Sequence, residues 1–171
     1  HALDGPANPC DIQAFTHVFA MDYFEGENHV IDKPRDYDFW RCFQPPGWPN
    51  PLLNWVSPDP RTLEPTEEAL FPGTDKYPLF IYRRIVDKTN FVPGTYLSDI
   101  TLVNWVQNDY MLGNVYDVPE GEARKHREQA KQLSLSLLYW LQTEAPRPDG
   151  KQGYPGLRLR PDVTGTEDGL A

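Results

Sequence analysis

The chain has 171 residues, 18 of them proline and 13% aromatic, and a formal net charge of −9. Its length and 39% hydrophobic share suit one globular domain over residues 1–171 and exclude a disordered chain. The acidic balance argues against nucleic acid and anionic membrane, which need a basic face, and no apolar run approaches the ~20 residues that span a bilayer.

Residues 1–10 read as a Gly/Pro/Asn-rich surface lead-in. In 11–23, Ile12, Ala14, Thr16, Val18 and Ala20 alternate with Phe15, His17, Phe19 and Met21. Both sets are largely apolar, which predicts a central strand covered on both faces. After the Glu25-Gly26-Glu27-Asn28 turn, Pro34 and Asp36 open a short helix over 36–43. The prolines between 44 and 66 predict an extended loop anchored by Trp48 and Trp55. Residues 66–71 read as a helical turn. The β-branched and aromatic runs at 79–87 and 99–106 read as strands. The clearest element is 119–143, where Ala123, Ala130, Leu133, Leu137 and Leu141 form a stripe at helical spacing. Pro119 and Glu120 favour its start, and Pro146 and Pro148 end it. This order predicts an α+β fold: a mixed or antiparallel sheet, one long C-terminal helix and extensive proline-rich loops.

Cys10 and Cys42 fit no metal or redox spacing, and neither do His1, His17, His29 and His126, so no metal site is expected. A disulfide between the two cysteines would need an oxidising compartment. The chain contains no GxGxxG, GxxxxGK[ST], HExxH or GxSxG motif. Both ends look cut from a longer polypeptide, and without a signal-peptide pattern a cytoplasmic location is expected, or none is assigned.

Three stretches carry a resemblance. They are Asp99-Ile100-Thr101-Leu102-Val103-Asn104-Trp105 through Asn108-Asp109-Tyr110; the run from Leu133 to Glu144, LSLSLLYWLQTE; and GLRLRPD at 156–162 followed by GTEDGLA at 165–171. With Ile12-Gln13-Ala14-Phe15-Thr16 and Tyr82-Arg83-Arg84-Ile85, their order and spacing resemble the bacterial FAD-dependent oxidoreductases related to xanthan-lyase flavoproteins. The resemblance covers nearly all of the chain. It implies a Rossmann-type FAD-binding segment before this stretch and a return to it afterwards. The 171 residues then correspond to the substrate-side insert that covers a flavin held by another chain or segment. His17-Val18 departs from the family, in which an aromatic residue followed by Arg is common at this place.

On this reading Asn104, Trp105 and Asn108 are substrate-contact candidates at a strand end, and Asp109 and Tyr110 join His17 as catalytic candidates. The plainer reading of Asn104 to Tyr110 is a turn in which Asn and Asp bond their own backbone. That of His17 is a satisfied neutral core histidine. Arg158 and Arg160 share a strand face and either clamp an anionic substrate group or pair with carboxylates. Arg83 and Arg84 either reach the FAD phosphates or lie in solvent. The expected partners are the FAD-binding chain or segment and a small-molecule substrate. A competing reading is a stand-alone carbohydrate-binding module using Trp48 and Trp55; another is a fragment with no independent role.

Overall fold

The computed structural model describes residues 12–59 and 61–171. It is α+β, with two small sheets, one long helix and much irregular chain. Strand β1, Phe19–Tyr23, lies between two neighbours, as its two apolar faces predict. The first four of its residues are buried. The expected strand over 11–23 is shorter in fact. Upstream of β1 only Phe15 makes a bridge, to Tyr110, and residue 11 lies outside the described residues.

Helix α1, Tyr37–Cys42, buries Tyr37 and Trp40. The proline-rich stretch is not wholly irregular: β2, Val56–Pro58, pairs antiparallel with β3, Pro65–Ala69. A turn closes the hairpin, with the Asp59 carboxylate accepting from the backbone N–H groups of Arg61 and Thr62. The helical turn expected at 66–71 is thus corrected to a strand. Its other edge pairs parallel with the two-residue β4, Tyr77–Pro78.

Residues 79–87 also differ from expectation. Leu79–Tyr82 form one helical turn, α2, and only Arg84–Val86 are strand, β5. The reason is burial: Leu79 and Phe80 are both in the core while Ile81 and Tyr82 face out. Adjacent residues of a strand point to opposite faces, so a strand could not bury that pair on one side. β6, Ile100–Val103, is followed by a 3₁₀ turn over Val106–Asn108. Helix α3, Glu120–Thr143, spans the predicted range. β7, Leu157–Leu159, and the short α4, Pro161–Thr164, complete the fold.

The larger sheet runs β5-β6-β1-β7 and is antiparallel throughout, with Phe19 opposite Val103 and Asp22 opposite Arg158. On one side Phe19, Met21 and Val103 share the main core with Trp40, Leu133, Leu137, Leu138 and Leu141. On the other, Ala20, Ile100 and Val86 pack with Val163. Full burial of each large apolar side chain contributes roughly 1.5–3 kcal/mol before chain entropy is subtracted. Gly156 lets β7 dock: a Cβ there would lie 1.9 Å from the Phe24 carbonyl oxygen. Cys42 is free and exposed; Cys10 lies outside the described residues.

Candidate functional site

A cleft of about 860 Å³ opens between the segment leading into β1, the β2–β3 hairpin, α2 and the turn after β6. Alternation on the extended segment sends Ala14, Thr16 and Val18 into it, the set predicted to share a face. The hairpin contributes Ser57, Thr66 and Glu68. Arg83 and Tyr82 come from the end of α2, and Asn104, Trp105, Gln107 and Asp109 from the end of β6.

Two carboxyl groups dominate its chemistry. Glu68 accepts from Ser57 Oγ at 2.9 Å and from Gln107 Nε2. Burial pushes its carboxyl above the ordinary range, and these two neutral donors only partly oppose the shift. Asp109 accepts from Thr16 Oγ1. Burial raises its carboxyl as well, against the Thr16 hydrogen bond and the positive field of Arg83. Arg83 is exposed and rests over the Tyr82 ring at 5.0 Å. Trp105 and Gln107 are 3% and 1% exposed, and among the described residues Trp105 Nε1 and Gln107 Oε1 have no hydrogen-bond partner.

The cleft unites four of the ten predicted site residues: Arg83, Asn104, Trp105 and Asp109. The other six lie elsewhere. Asn108 is fully buried, and its side chain binds Trp105 N, His17 O, Val103 O and Ser134 Oγ. It lies outside the cleft lining and clamps β6, the segment before β1 and α3 together. Tyr110 is also fully buried, with its hydroxyl 2.7 Å from both His126 Nδ1 and Gln129 Oε1. Burial raises that phenol to about 12, which fits a core tyrosine rather than an acid at the cleft.

His17 alternates away from the cleft that Thr16 and Val18 line. Its Nδ1 is buried without a partner, and burial, then the Lys131 charge, lowers its basicity. Arg84 pairs with Asp87 and Asp99 at 2.7 and 2.8 Å. Arg158 and Arg160 do share a face, as predicted, but they converge on buried Asp22, and Arg160 also holds Asp162. Of the two readings of these arginines, the structure has the carboxylate pairs.

Sequence reasoning missed Glu68, Ser57, Thr66 and Gln107. The alternation at 65–69 was the available signal: Glu67 turns out to Lys76 at 2.5 Å while Glu68 turns in.

The described residues do not fit the adenine–pyrophosphate half of FAD. That half needs a glycine-lined turn opening onto a helix start. The first turn of α3 carries Glu120 and Glu122, which repel phosphate. Among the described residues no cluster of His, Cys, Asp and Glu can hold a metal ion, and no helix is long and apolar enough to cross a membrane. No family model, curated protein or solved structure matches the chain.

Proposed function

We propose that this chain is the substrate-side portion of a FAD-dependent oxidoreductase, shaping a pocket beside a flavin bound by another chain or segment. The observation that carries the reading is the cleft, in which two half-buried carboxyl groups meet a buried tryptophan and a glutamine with unused hydrogen-bonding atoms. Sites of this kind, concave and partly apolar with a few convergent polar groups of shifted proton affinity, are where small molecules bind. One of the stretches that resemble the flavoprotein family, 99–110, supplies one wall of it. The misfit to pyrophosphate agrees with a division of labour in which this chain holds substrate and another holds cofactor. Within the cleft, Glu68 and Asp109 orient polar substrate atoms and can accept or return a proton.

A stand-alone carbohydrate module finds less support. Trp55 packs on Trp140 at 5.0 Å and donates its ring N–H to the Pro146 carbonyl at 2.8 Å, and Trp48 packs against the core. Both rings are partly buried against the core, which leaves less of either face for a sugar.

The test uses the complete polypeptide that contains this chain. It is expected to purify with bound flavin. Trp105→Phe and Glu68→Gln should keep the flavin content and slow flavin reduction by substrate. A complete polypeptide that lacks flavin even together with the chains that copurify with it refutes the reading, as do cleft variants that reduce at the wild-type rate.

A further inference from the structure

We propose that the cleft takes a cationic amine, its ammonium group on Glu68 and its apolar part against Trp105, Tyr77 and Tyr82. This deepens, and rests on, the reading of the cleft as a substrate pocket.

Charge selects the sign of the ligand. Asp59, Glu68 and Asp109 line the cleft against one cation, Arg83. Asp59 is occupied by the backbone N–H groups of its own turn. Arg83 stands at the exposed rim over Tyr82, within the field of Asp109. Among the described residues Glu68 has no cation beside it: its partners are a hydroxyl and an amide. A carboxylate drawn out of water with only neutral donors lacks the opposite charge that normally accompanies burial. An ammonium group supplies that charge; an anionic ligand would be repelled.

Hydrogen-bonding capacity selects the same group. An ammonium carries three donors and no acceptor. Glu68 and Asp109 offer carboxylate oxygens, and Gln107 Oε1 is an acceptor without a partner on a side chain only 1% exposed. A neutral polyol would meet the acceptors but leave Glu68 uncompensated. The aromatic residues suit the rest of such a ligand, because ring faces attract both apolar groups and cations. Trp105, 3% exposed and with its own N–H unpartnered, doubles as a reporter on that wall.

The test titrates the full chain, without flavin, with benzylamine, benzyl alcohol and glucose. Binding is followed by the Trp105 indole N–H resonance, assigned with Trp105→Phe. Benzylamine is expected to bind saturably and at least about tenfold more tightly than benzyl alcohol, since a charge-assisted contact replaces a neutral one. Glu68→Gln should weaken benzylamine roughly 10–100-fold. Glu67→Gln, on the outward face beside Lys76, should leave it unchanged. Equal affinity for the alcohol or for glucose overturns the proposal, as does undiminished benzylamine binding to Glu68→Gln or no amine-dependent shift at all. If Glu68→Gln does not fold, the comparison of amine with alcohol on the wild-type chain decides alone. A failure here leaves the flavin content of the complete polypeptide untouched, so the two readings fail separately.

Discussion

Asp22→Asn keeps the shape of a buried side chain in β1 and removes its charge. Asp22 is 1% exposed and receives Arg158 Nε and Nη2 at 3.1 and 2.8 Å and Arg160 Nη1 at 2.7 Å. An asparagine amide presents one oxygen to these donors and turns its NH₂ toward one of them. Removing one partner of a buried pair costs about 3–5 kcal/mol. Two features reduce that here. The Arg158 side chain is 40% exposed and regains water, and Arg160 keeps Asp162 at 2.6 Å. The expected loss is therefore about 2–3 kcal/mol. At roughly 2.1 cal/mol/K of unfolding entropy per residue, a chain of 171 residues should lose about 6–8 °C in Tm. Thermal melts and urea midpoints at unchanged slope measure it. Arg160→Ala should cost more than Arg158→Ala, because Arg160 is the less exposed and binds two carboxylates. A Tm within 1 °C of wild type would refute the structural assignment. So would saturable stabilisation of the wild type by phosphate, which would mean that the arginines are free to bind anions.

Asn108→Ala should cost about 2–4 kcal/mol in urea unfolding, since it strands the Trp105 N–H at a fully buried site and takes one donor from each of the His17 and Val103 carbonyls, of which His17 keeps Ser134 Oγ. Gly156→Ala should destabilise the docking of β7 outright, seen as lost hydrogen-exchange protection at Leu157–Leu159, because the added carbon meets backbone rather than a movable side chain. Glu68 gives a pH signature. Its folded carboxyl is raised above the ordinary 4.5, so its contribution is fully present below that value and is lost as pH rises through the folded one. Glu68→Gln should therefore gain stability relative to wild type between acid and neutral pH; a difference independent of pH would contradict the burial of that carboxyl.

The long helix and the central strand were legible because their patterns extend over many residues. The stripe from Ala123 to Leu141 fixes α3, and two apolar faces around Phe19 and Met21 place β1 inside a sheet. The β2–β3 hairpin was hidden by prolines: Pro58 and Pro65 pair across its end, where a missing N–H is tolerated. LFIYRRIV carries strand propensity, yet packing of both Leu79 and Phe80 into the core turns its first half helical. The site divided along the same line. Asn104, Trp105 and Asp109 were visible as a polar cluster at a strand end, but the 3₁₀ turn over Val106–Asn108 carries Asn108, and Tyr110 after it, into the core. Glu68 comes from a hairpin far away in sequence, and only the tertiary fold brings it to Gln107. Arg158 and Arg160 could be placed on one face, but their partner Asp22 lies 136 and 138 residues away.

The division of labour proposed for this chain, substrate recognised here and cofactor held elsewhere, is most directly tested by equilibrium dialysis of the 171-residue chain against FAD and benzylamine in parallel. The account predicts saturable uptake of the amine and no retained flavin. Stoichiometric flavin on the isolated chain would contradict it; absence of amine uptake alone would contradict only the choice of ligand.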